Sequence, residues 1–178
     1  MTLKYRRDLP IFMKELGIPL IGAEIGCAEG FNAADLLRNG MEKLYMVDIW
    51  QQADVKGDGA NNDEWHEKNY RAAMFRIEQW KDKAVVLKGF SADMVKNVPD
   101  ESLGLVYLDA GHSYPDVYMD LLMWFPKLMK GGIMAGHDYL NKAYGVKEAV
   151  AEFVGDRFKV SVIPEDKDED AGFWFRKD

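Results

Sequence analysis

The chain has 178 residues, long enough for one well-buried domain and short for two. A formal net charge of -7, with no Lys/Arg cluster beyond Lys4 to Arg7, argues against nucleic acid as the main partner and suits a small neutral or cationic ligand. No apolar run approaches the ~20 residues of a membrane span, no apolar signal core follows the basic start, and the single cysteine, Cys27, excludes an internal disulfide, so a cytoplasmic protein without a membrane partner is expected.

Residues 8–16 read as a short leading helix carrying Leu9, Ile11, Phe12, Met13 and Leu16, ended by Gly17 and Pro19. Residues 18–25 read as a first strand. It runs into Gly26-Cys27-Ala28-Glu29-Gly30, a turn that opens a helix over 31–38. Gly26 and Gly30 allow a tight turn and a close approach to a ligand. After the Asn39-Gly40 turn, residues 43–49 form a second strand with Asp48 near its end. Residues 50–63 hold few apolar residues and many turn formers, which predicts a mobile active-site loop. The spacing of Tyr70, Ala73, Met74, Ile77 and Trp80 predicts a helix over 64–80, its stripe most simply a packing face.

A third strand (84–87) turns at Gly89 into a short helix ending at Lys96, and a fourth strand follows over 103–108. Ser113 can cap the next helix, residues 115–129, with Pro115 in its first turn and Pro126 shortening its last. Gly131-Gly132 reads as a turn before a fifth strand over 133–136. A loop to Tyr144 precedes a helix ending near Val154. Residues 158–163 and 173–176 read as strands joined across the charged run over 165–170. Strands alternating with helices and closed by a hairpin predict an α/β protein: one doubly wound, mostly parallel sheet with an antiparallel edge, in a single domain over residues 1–178.

In such a sheet, ligands sit beyond the carboxyl ends of the strands. Those ends carry Glu24 to Gly30, Asp48-Ile49-Trp50, Ser91-Ala92, Asp109 to His112, and His137-Asp138. One acid at a strand end is commonplace; acids at several neighbouring ends need a reason. Asp48 lies about 20 residues beyond the glycine loop, where a Rossmann acid bonds a ribose diol. Yet the loop is Gly26-x-x-x-Gly30 rather than G-x-G-x-x-G, and Glu24 and Glu29 would repel a pyrophosphate. A ligand that joins a ribose to positive charge resolves the conflict. S-adenosylmethionine has an ammonium group, a sulfonium centre and no phosphate. Cys27, beside this loop, reads as a small buried residue before it reads as a reactive thiol.

The runs AEIGCAEG, YMVD, VYLDAGHSY and MKGGIMAGHDY resemble the class I S-adenosylmethionine-dependent methyltransferases. The match is closest to the small family called methyltransferase domain 24, related to catechol-type and macrolide-sugar O-methyltransferases. The pair D-x-G-H-x-Y and G-G-x-x-x-x-H-D-Y is its specific part, and it extends from about Pro19 onward. The resemblance implies a Rossmann-like seven-stranded sheet in the order 3-2-1-4-5-7-6 with an antiparallel last strand. It also implies methyl transfer, to an oxygen of a small-molecule acceptor.

Carried over by position, Glu24, Gly26, Ala28, Glu29 and Gly30 would line the methionine moiety. Ala28 stands where the commonest E/D-x-G-x-G-x-G loop has its middle glycine. Asp48 would hold the ribose hydroxyls, Ile49 would pack on the adenine, and Ser91 and Ala92 would sit at its edge. Asp109 would stand at the methyl-transfer centre. In metal-dependent relatives, Asp109 and Asp138 match positions that bind a divalent ion, and hard oxygen ligands suit Mg2+. The ion would lower the acceptor hydroxyl's pKa. His112 or His137 would then take the proton, His112 being favoured for its place three residues past Asp109 at the mouth of a helix. The plainer reading is that both histidines only bond loop backbone.

Two rival functions fit a sheet of this kind. A nicotinamide-dependent oxidoreductase is disfavoured by the glycine spacing and the acids; a non-catalytic nucleotide-binding protein is the other. The acceptor pocket is expected from residues 50–63, 139–144 and 1–16, with Trp50, Trp65, Tyr114 and Tyr139 as stacking candidates that are equally packing candidates. The chain carries no added acceptor-binding domain, which predicts an open site or one closed by a partner subunit in a homo-oligomer. Asp166, Asp168 and Asp170 mimic an EF-hand opening, but Ala171 and Lys177 stand where glycine and glutamate are needed. Residues 54–63 are incomplete in the same way, and both read as solvated turns.

Overall fold

A computed structural model of the chain describes residues 3–51, 63–165 and 171–178. The predicted mobile loop and the charged run with its EF-hand mimic therefore lie, for the most part, outside the described residues. A turn of 3-10 helix, Arg6–Asp8, leads into α1 (Leu9–Glu15). Then come β1 (Ile21–Ile25), α2 (Phe31–Arg38), β2 (Lys43–Asp48), α3 (Asp63–Ile77), β3 (Ala84–Lys88), α4 (Ser91–Met94) and β4 (Leu103–Leu108). The chain continues through α5 (Tyr114–Trp124), β5 (Leu128–Gly136), α6 (Val146–Val154), β6 (Ser161–Ile163) and β7 (Gly172–Arg176).

The strands form one 7-stranded sheet in the order β3-β2-β1-β4-β5-β7-β6. Pairings from β3 to β5 are parallel; β7 runs antiparallel to both β5 and β6. The expected order and antiparallel edge are thus present. Every residue of β4 is buried, as a central parallel strand covered on both faces requires. Alternation splits the strands between two cores. Leu44, Met46, Leu105 and Tyr107 face α1, α2 and α3, whereas Ala23, Ile25, Tyr45, Val47, Val106 and Leu108 face α5 and α6. Glu24 falls on the first of these faces, in register with Met46 on one side and Tyr107 on the other.

Several boundaries differ from expectation; β6, for one, begins at Ser161 rather than residue 158, and α3 ends at Ile77 with a 3-10 turn, Glu78–Trp80, after it. β1 begins at Ile21 rather than residue 18, since Pro19 has no N–H for a ladder. The helix expected over 115–129 ends at Trp124, because Pro126 falls in a 3-10 turn, Phe125–Lys127, that closes it. β5 then starts at Leu128 and passes through Gly131-Gly132, where a turn was expected. Gly131 takes φ +81°, and the register slips so that Leu103 faces Leu128 while Leu105 faces Ile133. The glycines bulge the strand instead of breaking it. Among the described residues, no helix is long and apolar enough to cross a membrane.

Candidate active site

The loop after β1 is held by an acid from β2. Asp48 Oδ2 accepts the N–H groups of Cys27 and Ala28 at 2.9 and 2.8 Å, and Oδ1 accepts that of Trp50 at 2.9 Å. Ala28 takes φ +43°, a left-handed conformation that costs a side-chain-bearing residue about 1 kcal/mol. Its carbonyl accepts the indole N–H of the buried Trp50 at 2.8 Å. Ala28 therefore adopts the turn a middle glycine would adopt. A carboxylate offers about four lone-pair positions; with three N–H groups in place, one position remains on Oδ1 of Asp48.

Gly26 and Gly30 also take positive φ, +87° and +76°. A Cβ on Gly26 would lie 2.1 Å from the Asp109 carbonyl oxygen, and one on Gly30 would lie 2.9 Å from Cα of Ala73 in α3. What comes close to these glycines is the chain's own backbone rather than open ligand space. Glu29 pairs with α3: Arg76 donates to its carbonyl at 2.8 Å, sits 3.5 Å from its carboxylate, and covers the Phe31 ring. Cys27 is buried, its thiol donating to the carbonyls of Glu24 and Val47, and burial pushes its pKa up, which makes it an inert packing residue.

Glu24 is the unusual acid. It is 1% exposed; Oε1 accepts from Asn32 Nδ2 at 3.0 Å, while Oε2 has no hydrogen-bond partner. Burial raises its pKa to about 8, partly offset by the Asn32 bond. A buried carboxyl in this state is matched by a ligand that brings its own positive charge.

The ends of β4 and β5 bring the remaining acids together. Asp109 N–H donates to Ile25 at 2.7 Å and His137 N–H to Leu108 at 3.0 Å, extending the parallel ladder past the last strand residues. His112 Nε2 lies 3.1 Å from Asp138 Oδ2 and 3.6 Å from Asp109 Oδ1. His137 Nδ1 lies 3.0 Å from Asp138 Oδ2 and 3.8 Å from Asp109 Oδ1. Asp138 sits at φ +55°, which a short polar side chain tolerates. The His112 ring stacks on Tyr144, and its carbonyl accepts from Gly145 at 3.0 Å.

Contacts with Asp109 and then Asp138 raise His112 to about 9. Burial works against protonation of His137, but Asp138 and Asp109 outweigh it and raise that pKa too. Burial likewise disfavours the Asp138 carboxylate, yet the two imidazoles hold it well below the usual range. These contacts favour the protonated imidazole of His112. One ligand atom from each of Asp109, His137 and Asp138 falls within 4.8 Å of the others, so the residues present fit a single divalent cation. The cluster adds His137 to the expected metal pair.

Gly89 N–H donates to the Asp48 carbonyl at 2.9 Å, tying the turn before α4 to the end of β2. Ser91 donates to Asp120 Oδ1 at 2.5 Å and accepts the Trp124 indole N–H at 2.7 Å. Burial raises Asp120 to about 6, against the Ser91 bond. Ile49 is half-buried and Ala92 exposed. Of the proposed stacking residues, Trp50 packs on Tyr70, Tyr114 on Tyr118 and Tyr139 on Phe173. Asn32, Asp120 and Tyr107 are site neighbours the sequence did not reveal. For Asp120 a signal existed: it lies on one helical stripe with Val117, Leu121 and Trp124.

A sheet in this order, with a turn after β1 and an acid closing β2, is the build of the class I S-adenosylmethionine-dependent methyltransferases. The O-methyltransferase NovP shares it with a TM-score of 0.71 over 97% of this chain and 77% of its own, at 20% identity. An O-methyltransferase from Bacillus cereus, solved in complex with SAH, superposes with a TM-score of 0.69 over 97% of this chain and 80% of its own, at 14% identity. Residues 23–139 match the methyltransferase domain described as family 24, a stretch that holds Glu24, Asp48, Asp109 and Asp138. The chain belongs to this family. It is also 26% identical over 103 residues to the uncharacterized protein y4gI of Sinorhizobium fredii, a match over 58% of this chain and 11% of y4gI. The chain thus spans about a tenth of the length of that curated relative.

Proposed function

We propose that the protein transfers a methyl group from S-adenosylmethionine to an oxygen of a small molecule. The observation that supports this best is the meeting of Asp109, His112, His137 and Asp138 at the ends of β4 and β5, next to the strand that carries buried Glu24. S-adenosylmethionine supplies a methyl group on a positive sulfur, which a nucleophilic oxygen displaces to leave S-adenosylhomocysteine. Glu24 offers its unpartnered Oε2 to the ammonium group, and Asp48 offers Oδ1 to a ribose hydroxyl. Ile49, Ser91 and Ala92 receive the adenine. Gly26, Ala28 and Gly30 shape the loop, and Glu29 braces it through Arg76.

Asp109 and Asp138, with His137, would hold a divalent cation such as Mg2+, which in that place lowers the pKa of an acceptor hydroxyl. His112, once its own proton has gone to solvent, accepts the hydroxyl proton at Nε2 while the oxygen–methyl bond forms and the sulfur–methyl bond breaks. Alignment of oxygen, carbon and sulfur accounts for most of the remaining acceleration. We place the reaction in the cytoplasm, in one domain over residues 1–178, with the site either open or closed by a second copy of the chain.

The test is incubation with S-adenosylmethionine and a panel of catechols, phenols and sugar alcohols, with Mg2+ or with EDTA, reading S-adenosylhomocysteine by mass spectrometry. Acceptor-dependent product that is lost in Asp109→Ala is expected. Preferential binding of NAD would overturn the reading in favour of an oxidoreductase. Binding of S-adenosylmethionine without turnover on any acceptor would favour a non-catalytic nucleotide-binding protein.

A further inference from the structure

The strand-end acids explain how a cationic ligand is attracted and leave a difficulty. An α-amino acid carries its carboxylate on the same carbon as its ammonium group. The imidazoles of His112 and His137 are turned to Asp109 and Asp138, so a rim on which Glu24, Asp48, Asp109 and Asp138 dominate would repel one end of the group while attracting the other. A site built for such a zwitterion needs hydrogen-bond donors a few ångströms from its acceptors.

The N-terminal segment brings one. Arg6 opens the 3-10 turn before α1, and Leu9, Phe12 and Met13 of α1 pack into the same core as Tyr107 and Ala135. The turn is anchored from the far end of the chain, where Glu165 Oε1 accepts the Arg6 N–H at 2.6 Å. From this position the half-buried Arg6 guanidinium lies beside the Tyr107 hydroxyl and acts electrostatically on Asp109, Glu24 and His137. Tyr107 stands opposite Glu24 in the β1–β4 register, on the same face of the sheet. Its hydroxyl is buried against the Arg6 guanidinium, and Glu24 Oε2 is buried with no hydrogen-bond partner.

We propose that Arg6, seated on Tyr107, receives the α-carboxylate of S-adenosylmethionine, while Glu24 receives its ammonium group. The proposal rests on the methyltransferase reading above and adds to it the residue that reads the other end of the amino acid. Two buried groups on neighbouring strands are complementary to the two ends of a zwitterion: an acceptor on Glu24 and, beside Arg6, an O–H donor on Tyr107. Arg6 supplies planar N–H donors that match a carboxylate and never deprotonate at ordinary pH. A carboxylate could also belong to the acceptor molecule. The cofactor is favoured because Arg6 stands beside Tyr107, the strand partner of Glu24.

The test is equilibrium binding of two ligands that differ only in this group: S-adenosylhomocysteine and its decarboxylated analogue, S-adenosyl-3-thiopropylamine. Wild-type protein should prefer S-adenosylhomocysteine roughly 10- to 100-fold, the range of a charge-assisted hydrogen bond. Arg6→Gln should lose that preference by weakening S-adenosylhomocysteine alone, Arg6→Lys should keep part of it, and Tyr107→Phe should lose a smaller part. Equal wild-type affinity for the two ligands overturns the proposal without any variant and leaves the methyltransferase reading intact. Equal weakening of both ligands by Arg6→Gln would make Arg6 a structural residue and also overturn it. If Arg6→Gln changes only the KM of a carboxylated acceptor, the carboxylate read is the acceptor's and the proposal fails. Wild-type protein that binds neither ligand would sink the methyltransferase reading, and this proposal with it.

Discussion

Asp48 Oδ2 accepts the N–H of Ala28 at 2.8 Å, and through that bond an acid at the end of β2 fixes a left-handed residue in the loop after β1. The same oxygen accepts from Cys27, so one carboxylate sets two consecutive peptide groups. Asp48→Asn would put an amide nitrogen or a weaker acceptor where these N–H groups converge. We expect a loss of about 1–3 kcal/mol in unfolding free energy, since a part-buried donor is left without its partner. S-adenosylhomocysteine affinity should fall in parallel. Thermal unfolding and a binding titration check both, and a variant that keeps stability while losing affinity would show that Asp48 serves the ligand and not the loop.

Ala28 itself gives a test of opposite sign. At φ +43° it carries a steric cost that glycine avoids. Glycine adds freedom to the unfolded chain, which offsets part of the gain. Ala28→Gly should therefore lie between equal to wild type and about 1 kcal/mol more stable, with ligand affinity retained. Ala28→Val, β-branched at positive φ, should lose about 1–2 kcal/mol or more. Denaturant unfolding of the pair decides it; a destabilised glycine variant would mean that the Ala28 methyl contributes packing that outweighs its strain.

The rim was legible because apolar runs fix where strands end. LGLVYL places Asp109 at an edge, and KLYMVDI does the same for Asp48. What could not be read was pairing across long sequence distances. The contact of Arg6 with Glu165 spans 159 positions and depends on how α1 lies on the sheet. Glu29, grouped with Glu24 by the loop, is drawn to Arg76 on α3, a partner set by helix packing. Tyr107 was hidden by its setting, since a tyrosine in a buried apolar strand reads as core until its hydroxyl is found beside the Arg6 guanidinium, opposite Glu24. The glycine pair in β5 misled for a related reason: Gly-Gly favours both a turn and a bulge, and only the neighbouring strand decides between them.

Glu24 makes stability and binding depend on pH in opposite directions. Its folded-state pKa is about 8, raised chiefly by burial. Between its ordinary value and 8 the folded chain keeps a proton that the unfolded chain releases, so stability falls as pH rises through that window, by at most about 1.4 kcal/mol per pH unit. Glu24→Gln removes the titration. The variant should match wild type near pH 5 and become the more stable of the two toward pH 8. The ionised form receives the ammonium group, so wild-type affinity for S-adenosylhomocysteine should rise from pH 6 to 8, while the variant's stays low and flat. Calorimetric titrations in two buffers of different ionisation enthalpy should reveal the proton released on binding. A wild-type affinity independent of pH would remove Glu24 from the ligand site.

His112 and the carboxylates compete for a cation. The His112 pKa is raised to about 9 by Asp109 and Asp138, so the stabilising contact is fully present below the ordinary histidine value and is lost as pH rises through about 9. A divalent ion held by Asp109, His137 and Asp138 would have to displace this protonated imidazole from the same oxygens. Mg2+ affinity of the ligand-free protein should therefore climb between pH 7 and 9 and level off above that. His112→Ala should bind Mg2+ with a shallower pH dependence yet lose methyl transfer by roughly 10²- to 10⁴-fold, the usual loss when a general base is removed. Asp138→Asn should lose both metal and activity. Isothermal titration with Mg2+ across this pH range, paired with turnover in EDTA, measures both effects. Full activity in EDTA, with metal affinity flat in pH, would show that the cluster works by the histidines alone.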